Sequence, residues 1–465
     1  MRGSFGRPIV LGLSLALPAV GMAGQVVAQD SSPAAPGSAI TTIASGLTNP
    51  RGFAWGPDGA LHVALAGTGG DTHIAMFPGF TVDIGLTSSI ATISDGCATP
   101  LVLGLVSTLW EEAGWIWGAM DGAFLGDDMY ALLSGAGPSN FSPSSFSGVF
   151  RLNADGTMTL VGDITNWLPQ HPPAFVPPDY GSDGSLFDLE AAGDSLLLSE
   201  AVGGQLIRVT PAGEISTAAD LSEGHPVPTG IAVDPDGTAY VGFETAAPYG
   251  DGASKVVKVA SDGTVTDAWT GLTVVTDVAL GPDGVLYAAE MATGFAEGVA
   301  DMPPDSGRIV RQTGPDTSEP VVTDLPYPVH IGFDGDGRLV IAAPAFGPDA
   351  GSGQGVLVSV DPAQAPVSYA GFEPTPAECA PAASGASVTI AGFAFDPASL
   401  DVAAGTTVTW TNQDSTQHTV TAADGSFESG AIAEGGTFSQ TFDTPGTYAY
   451  ACRFHPTMKG TITVA

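Results

Sequence analysis

Basic residues are scarce in this sequence. Lys and Arg together number 12 among 465 residues, against 49 Asp and Glu, so the formal net charge is −37 at pH 7. A chain this acidic repels phosphate backbones and anionic lipid headgroups, which excludes nucleic acid and anionic membrane surfaces as partners. The charge either keeps the protein soluble in a salty or acidic exterior or steers a basic redox partner. Its even spread along the chain favours solubility.

No stretch is apolar over the roughly 20 residues that a membrane-spanning helix needs. Residues 1–28 have the pattern of a Sec-type export signal instead, with a basic start, an apolar run from Ile9 to Ala23 and a small-residue cleavage motif ending at Ala28. No Cys follows that run to carry a lipid. Residues 29–39 are rich in Ser, Pro and Ala, which is typical of a flexible leader. The sequence predicts an extracellular or periplasmic protein without a membrane span.

Cysteine is also rare, since only Cys97, Cys379 and Cys452 are present. In an exported protein an odd count leaves one thiol outside any disulfide. If Cys452 binds a metal, Cys97 and Cys379 are left either to pair with each other or to remain isolated thiols.

A repeated unit fills the first three quarters of the chain, and each copy is a short apolar strand, a Pro-Asp-Gly-type turn and a second apolar strand. Five copies are readable, at residues 46–64, 184–198, 228–241, 275–288 and 329–341. Further hairpins follow at residues 149–160, 206–215 and 256–265. Two hairpins in each repeat are typical of a four-stranded propeller blade.

A sixth unit is needed between about residues 100 and 165, where Asp127–Leu133 takes the place of the usual turn and strand. We therefore expect an all-β fold that begins with a six-bladed β-propeller over residues 40–370. Ile40–Ala44 is expected to supply the outer strand of the last blade and so to close the ring. Trp110, Trp115 and Trp117 precede the second blade, where they either pack in the core, which we favour, or form a platform for a ligand.

Residues 371–385 form a Pro/Ala-rich linker, and a different pattern of short alternating strands occupies residues 386–465. About 80 residues of such strands indicate a small Greek-key β-sandwich. Within Tyr448-Ala-Tyr450-Ala-Cys452 the alternation places Cys452 on the same face as both tyrosines.

The sequence Cys452-Arg-Phe-His455-Pro-Thr-Met458 places a thiolate, an imidazole and a thioether within one tight turn, and His418 offers a second imidazole. Two His, one Cys and a weak Met are the ligand set of blue-copper electron-transfer sites. Zinc would use more Cys, His or carboxylate and has little use for a thioether. The residues therefore predict a type 1 copper site.

At these residues the C-terminal segment resembles the cupredoxins, most closely the amicyanin/plastocyanin group, because the spacing Cys-x-x-His-x-x-Met matches the short amicyanin-type loop. The resemblance implies His418, Cys452 and His455 as strong equatorial ligands, Met458 as the axial ligand, and a role in electron transfer. Arg453 and Phe454 depart from the small residues or Pro common between Cys and His. An arginine there would add positive charge beside the site.

The repeats resemble the ScyD/ScyE family of exported proteins and, more distantly, NHL and gluconolactonase-type blades. The Asn-Pro-Arg-Gly-Phe opening at residues 49–53 and the Pro-Thr-Gly-Ile-Ala repeat at residues 228–232 carry this resemblance. This resemblance implies a propeller fold and does not imply a specific activity.

Polar residues recur where the blade strands are expected to meet one mouth of a central channel. The residues expected at or near that mouth are Arg51, Glu200, His225, Thr229, Glu244, Glu290 and His330. Converging carboxylates there would bind Ca²⁺ or form a solvated acidic funnel. The acidity of the whole chain favours the funnel.

Two functions of different classes remain open. The first is an exported copper-binding electron carrier whose propeller docks a redox partner or binds a ligand. The second is an enzyme whose propeller oxidises or hydrolyses a sugar or lactone and passes electrons to the copper domain or is merely tethered to it. A quinone-dependent sugar dehydrogenase would need several basic and His groups around its cofactor, whereas outside the copper ligands there are five His and few Lys, so the composition disfavours that version of the enzyme. A third interpretation is a surface-binding propeller whose C-terminal domain carries copper. We favour the electron carrier and assign no catalytic residues.

Overall fold

The computed structural model describes residues 39–464 except for short gaps at 78–79, 111–113, 138–144, 154–155, 178–179, 182, 248, 296–301, 345–353, 378, 380–385, 403–405, 424, 443 and 445. The predicted export signal and most of the leader lie outside the described residues. The described part is almost entirely β-structure, with one α-helix, α1 (Ile164–Trp167), and two 3₁₀ turns, Leu168–Gln170 and Pro362–Gln364. The all-β prediction is confirmed. None of these helical turns has the length and hydropathy that crossing a bilayer requires.

Six mainly antiparallel sheets follow one another between residues 40 and 368. The first sheet contains β2 (Pro50–Trp55), β3 (Leu61–Leu65), β5 (Phe80–Ser94), β6 (Cys97–Trp110) and β7 (Trp115–Trp117), with β4 (Thr72–Phe77) paired to β5. The second contains β8 (Ala119–Leu125), β9 (Asp128–Leu133), β10 (Gly148–Leu152) and β11 (Met158–Asp163). The third contains β12 (Leu186–Ala192), β13 (Ser195–Glu200), β14 (Gln205–Val209) and β15 (Ile215–Asp220).

In the remaining three of these sheets consecutive strands again lie side by side, except that the fourth strand of the sixth sheet comes from the N-terminal end of the described chain. The fourth contains β16 (Pro228–Val233), β17 (Ala239–Phe243), β18 (Ser254–Val259) and β19 (Val265–Leu272). The fifth contains β20 (Val275–Leu280), β21 (Leu286–Glu290), β22 (Gly307–Gly314) and β23 (Thr317–Leu325), to which the short β27 (Val367–Ser368) adds in parallel. The sixth contains β24 (His330–Phe333), β25 (Leu339–Ala343), β26 (Gly355–Val360) and β1 (Ile40–Leu47).

The turns between the first two strands of these sheets explain the repeated Pro-Asp-Gly signature. The turn glycines Gly59, Gly237, Gly284 and Gly337 have φ of +82°, +84°, +76° and +75°. Gly adopts this left-handed region without the steric penalty that a Cβ atom brings. Asp58 adds a side-chain bond, since its Oδ1 accepts the Ala60 N–H at 3.0 Å. The turn chemistry therefore fixes the register of each hairpin.

The first strands of the six sheets contact one another in cyclic order. Strand β2 contacts β8, β8 contacts β12, β12 contacts β16, β16 contacts β20, β20 contacts β24, and β24 contacts β2. Buried aspartates join neighbouring strands: Asp121 Oδ2 accepts the Leu189 N–H at 2.9 Å, and Asp277 Oδ2 accepts the Ile331 N–H at 2.7 Å. In the same way Asp188 Oδ2 accepts the N–H of Ile231 on the next sheet at 2.5 Å. These carboxylates therefore bond the first strands of neighbouring sheets to one another.

The N-terminal strand pairs as the sequence predicts, because β1 lies antiparallel to β26 at the outer edge of the sixth sheet. The beginning of the predicted linker is also attached to β1: the Thr375 N–H donates to Thr42 Oγ1 at 2.9 Å, and Ser45 Oγ donates to the Thr375 carbonyl at 3.2 Å. Cys97 and Cys379 form a disulfide across 282 residues. The disulfide links the first sheet to the segment that leads into the C-terminal domain.

One part of the first sheet departs from the repeat pattern. Strands β5 and β6 are 15 and 14 residues long, more than twice the length of most other strands here. At the end of this hairpin Trp110 pairs with Trp115 of β7. The side chain of Trp115 is 46% exposed, so the core-packing role expected for the three tryptophans is wrong for Trp115.

The C-terminal residues form two four-stranded sheets. One contains β28 (Ala386–Ala391), β29 (Ala394–Asp396), β31 (Thr406–Asn412) and β33 (Thr437–Phe442). The other contains β30 (Ser399–Val402), β32 (Thr421–Ala422), β34 (Gly446–Ala451) and β35 (Lys459–Val464). A core of aliphatic and aromatic side chains around the fully buried Trp410 lies between them. Tyr450 and Cys452 are 2% and 1% exposed, so the alternation read from the sequence places both in this core.

Candidate functional site

Three of the four predicted ligands meet at one end of the C-terminal sandwich. His418 Nδ1 lies 3.2 Å from His455 Nδ1, and Cys452 Sγ lies 3.7 Å from His418 Nδ1 and 3.5 Å from His455 Nδ1. Nitrogen and sulfur donors bound to one metal ion lie about 2.0–2.3 Å from it, so separations of this size are those of donors that share an ion. The arrangement therefore provides two imidazole nitrogens and one thiolate for a single metal.

The loop between β34 and β35 supplies Cys452, His455 and Met458. The Cys452 N–H donates to the Met458 carbonyl at 3.2 Å, and the Met458 N–H donates to the His455 carbonyl at 2.9 Å. These two bonds close the loop into the tight turn that the spacing predicts. Met458 is 2% exposed and packs in the same core cluster as Cys452, so its thioether lies within the interior rather than in solvent.

His418 comes from a different part of the sandwich, the segment between β31 and β32. Its backbone forms a two-way bridge with Ile432, at 3.1 Å and 2.8 Å. Asn412, which is fully buried, supports the same segment, since its Nδ2 donates to the carbonyls of Thr416 at 2.9 Å and Ile432 at 3.0 Å. The His418 side chain is therefore held in place by the sandwich and not by the ligand loop.

Asp414 holds the far side of the His418 ring. Its Oδ2 lies 2.9 Å from His418 Nε2 and accepts the Phe393 N–H at 2.9 Å, and its Oδ1 accepts the Gly392 N–H at 2.7 Å. The Phe393 N–H, followed by those of Gly392 and His418, holds the pKa of Asp414 below its usual range. A carboxylate only accepts hydrogen bonds, so the proton of neutral His418 lies on Nε2 and leaves Nδ1 free to coordinate. Asp414 is not among the residues predicted from the sequence, although its position four residues before His418 is a signal that could have revealed it.

Phe393 covers both imidazoles from outside. Its ring packs edge-to-face on His455, with centroids 4.8 Å apart, and on His418 at 5.4 Å. It is a non-glycine residue with φ of +61°, and its side chain is 52% exposed. Phe454, which precedes His455 in the ligand loop, is 54% exposed, so a second phenylalanine lies at the surface of this loop.

The thiolate receives a hydrogen bond from the backbone. The Thr419 N–H points to Cys452 Sγ at 3.3 Å, and Thr419 Oγ1 in turn accepts the Arg453 N–H at 2.8 Å. Such bonds withdraw charge from a ligand sulfur and favour the reduced metal. The Arg453 guanidinium forms an exposed ion pair with Glu428, so the positive charge expected beside the site is offset.

The polar residues expected at the channel mouth do not all lie together. Arg51, His225 and Glu244 line one cavity. Glu290 forms an ion pair with Arg308 and accepts the Thr273 N–H at 2.6 Å, and Thr229 Oγ1 donates to the Val275 carbonyl at 2.6 Å. Glu200 is fully buried, and its Oε1 accepts the Ser185 N–H at 3.1 Å. Among the described residues the three glutamates do not converge as the ligands of one ion.

His330 belongs to a different cluster, near the centre of the six sheets. A ligand atom from each of Asp121, Asp188 and His330 lies within 4.8 Å of the others, and His330 Nδ1 is 3.1 Å from Asp277 Oδ2. Burial, followed by the charge of Asp188, raises the pKa of Asp121 and of Asp277 well above the ordinary value. The aspartates of this cluster accept N–H groups of the neighbouring first strands. The cluster therefore holds these strands together.

Comparison with known proteins places the C-terminal domain in a family. Residues 367–464 match the model of the cupredoxin-like domain. The plastocyanin of Scenedesmus fuscus is 41% identical over 83 residues, which are 15% of this chain and 85% of the plastocyanin. Amicyanin-alpha of Methylorubrum extorquens is 38% identical over 90 residues, 18% of this chain and 75% of the amicyanin.

A third relative is the halocyanin of Natronomonas pharaonis, 48% identical over 69 residues, which are 14% of this chain and 42% of the halocyanin. All three similarities cover less than a fifth of the chain, so they concern the C-terminal domain alone. Through that domain the chain belongs to the cupredoxin-like family.

Proposed function

We propose that this protein is an exported electron carrier with a type 1 copper site formed by His418, Cys452, His455 and Met458. The observation that carries the proposal is the convergence of two Nδ1 atoms and one Sγ atom within 3.2–3.7 Å of one another. The plastocyanin, amicyanin and halocyanin relatives support copper-binding electron transfer by this domain. Met458 enters the proposal as the axial ligand because it is buried in the same core cluster as Cys452.

Each residue of the site has a distinct part in the proposed relay. Bound copper supplies a one-electron couple between Cu(II) and Cu(I). His418 and Cys452 are held by buried hydrogen bonds, so they keep their positions when the charge at the centre changes. His455 is the half-buried ligand, and its ring lies directly beneath Phe393. We therefore assign the exit for electrons to His455 and the surface formed by Phe393 and Phe454.

We further propose that the six sheets are the blades of a six-bladed β-propeller of ScyD/ScyE type. The cyclic contacts between the first strands support this arrangement, as does the closure of the sixth sheet by the N-terminal strand β1. A ring of this kind leaves few exposed sheet edges. In this proposal the propeller is the docking or binding module of the carrier.

Export and a basic redox partner complete the proposal. Export is supported by the pattern of residues 1–28 and by the Cys97–Cys379 disulfide, because disulfides persist in oxidising compartments. The net charge of −37 would attract a basic partner and make its association rate dependent on ionic strength.

Copper loading tests the proposed function. The full chain should bind one copper ion per molecule and show a strong visible thiolate-to-copper charge-transfer band that disappears on reduction and returns on oxidation. Cys452→Ala should remove the band. Cys97→Ser with Cys379→Ser, which removes the other two cysteines, should retain it. A colourless oxidised holoprotein, or a band that persists in Cys452→Ala, would refute the assignment.

A further inference from the structure

A cavity of about 730 Å³ lies among the loops that flank the first two strands of the six sheets. The volume falls within the range of small-molecule sites, roughly 300–1,000 Å³. The cavity is remote in sequence from the copper ligands, and the proposed electron transfer does not use it. Most of its wall is apolar, with a small number of charged groups.

Aromatic side chains form much of the wall. They are Trp110, Trp115, Trp117, Phe187 and Tyr249. Trp117 packs edge-to-face against Trp110 and Trp115, with centroids 6.4 Å and 6.2 Å apart and interplanar angles of 71° and 82°. The three indole rings therefore do not lie in one plane. A cation is attracted to the face of an indole ring, so tryptophans in a cavity wall favour cationic ligands.

The charged groups at the cavity are predominantly acidic. Asp183 and Glu244 line it, and Tyr249 OH donates to Glu244 Oε1 at 3.2 Å. Burial, offset in part by that hydrogen bond, raises the pKa of Glu244 to about 7. Burial destabilises the charged form of a carboxylate and nearby positive charge stabilises it, so a cationic ligand would favour the charged form of Glu244.

One guanidinium group, that of Arg51, also lines the cavity. Arg51 is 5% exposed and donates its Nη2 to the Ile116 carbonyl at 2.8 Å. It also lines a small cleft together with Asp188 and Asp277. The net charge of the chain, −37, further favours cations over anions at any concave surface.

Backbone strain is concentrated on the same rim. His225, Val227 and Thr245 are non-glycine residues with φ of +55°, +58° and +71°, and all three line the cavity. The Glu244 N–H donates to the Val227 carbonyl at 2.9 Å, and the Thr245 N–H donates to the Pro226 carbonyl at 3.0 Å. Left-handed non-glycine residues are costly and cluster at ligand sites. The bonds hold the rim in one conformation, so the cavity is preformed.

We propose that this cavity binds a small organic cation, an amine or quaternary ammonium compound, between the tryptophan rings and the carboxylates of Asp183 and Glu244. The tryptophans supply cation–π contacts and the carboxylates supply charge. The proposal goes beyond electron transfer and is independent of copper loading.

Choline and its neutral isostere 3,3-dimethylbutan-1-ol test this proposal, because the two differ in charge and hardly in shape. Calorimetric titration of the full chain, with and without copper, should give an affinity for choline about tenfold or more above that for the alcohol. Trp115→Ala and Glu244→Gln should each weaken choline binding about tenfold. Phe175→Ala is the control for Trp115→Ala. Phe175 is 44% exposed and Trp115 is 46% exposed, but Phe175 does not line the cavity, so its loss should leave choline binding unchanged.

Circular dichroism and the copper band of the same samples verify that each variant is folded. Equal affinities for choline and the alcohol would overturn the proposal, as would undiminished binding by folded Trp115→Ala and Glu244→Gln proteins. Binding of glucose in the cavity with no binding of choline would also overturn it and favour a sugar-binding propeller. Choline binding by a protein that fails to load copper would support this inference while refuting the proposed electron transfer.

Discussion

Asp414 Oδ2 lies 2.9 Å from His418 Nε2, on the side of the imidazole opposite to Cys452. The same carboxylate accepts the N–H groups of Gly392 and Phe393. It therefore ties His418 to the turn whose phenylalanine covers the site. A carboxylate bound to a ligand histidine makes that imidazole a stronger donor and favours the oxidised metal.

Replacement of Asp414 by Asn should raise the reduction potential of the copper site. The substitution keeps the size of the side chain and removes a negative charge that stabilises Cu(II). We expect a rise of about 30–60 mV, which is a shift of roughly three- to tenfold in a one-electron equilibrium. Protein-film voltammetry measures it. Asp401→Asn, which removes an exposed carboxylate from β30 of the same domain, is the matched control and should change the potential less. A lower potential for Asp414→Asn would contradict this role.

Asn412→Ala should destabilise the C-terminal domain. Asn412 is fully buried, donates to two carbonyls and accepts the Asp414 N–H at 3.0 Å. Its loss removes three hydrogen bonds of a buried side chain, at a cost of about 2–4 kcal/mol of unfolding free energy. Urea unfolding of the copper-free protein measures the change. Gln413→Ala alters the exposed neighbouring side chain and should have almost no effect. A loss below about 0.5 kcal/mol for Asn412→Ala would show that water replaces these bonds.

The stability of the six-sheet region should fall as the pH rises from about 5 to 8. Burial, followed by the charge of Asp188, raises the pKa of Glu190 to about 8, whereas an unfolded Glu titrates near 4.3. Between these values the folded chain holds a proton that the unfolded chain releases. Because the folded state binds more protons, unfolding becomes easier as the pH increases.

Urea midpoints measured at several pH values test this prediction. Glu190→Gln mimics the protonated side chain and should flatten the dependence, whereas Glu214→Gln, an exposed substitution on the β14–β15 turn, should leave the slope unchanged. A midpoint that increases over this range, or an identical slope in Glu190→Gln, would contradict the assignment.

Removal of the disulfide should destabilise the folded protein, because the unfolded chain gains conformational entropy without it. The Cys97–Cys379 bond closes a loop across 282 residues, so its loss frees a long segment of the unfolded chain. We expect a loss of about 2–5 kcal/mol of unfolding free energy in Cys97→Ser with Cys379→Ser. Intact mass spectrometry should show a gain of two protons on reduction of the native protein and none in Cys97→Ser. A native protein whose mass is unchanged by reductant would show that the bond is absent.

The proximity of Cys452 and His455 could be predicted from the sequence because its signal is local. Cys452, His455 and Met458 lie within one turn, and the alternation of the preceding strand places Cys452 in the core without knowledge of the rest of the fold. The hairpin repeats were equally readable, since each Pro-Asp-Gly-type turn sets the register of its own two strands.

Features that depend on contacts distant in sequence could not be predicted in this way. Nothing local distinguishes Glu290, which pairs with Arg308, from Glu244, which lines the cavity. The exposed position of Trp115 follows from the long β5–β6 hairpin, whose length no repeat encodes. The bond from Asp414 to the Phe393 turn joins residues 21 positions apart and depends on the pairing of β28 with β31 within one sheet.

X-ray absorption spectroscopy of the copper-loaded chain, recorded in the oxidised and reduced states, tests the central claim most directly. The account predicts two nitrogen scatterers and one short sulfur scatterer around copper in the oxidised state, with little change in their distances on reduction. In His418→Ala one of the two nitrogen scatterers should be lost. A first shell without sulfur, or a coordination number that changes strongly between the two states, would contradict the assignment of His418, Cys452 and His455 as the ligands of an electron-transfer site.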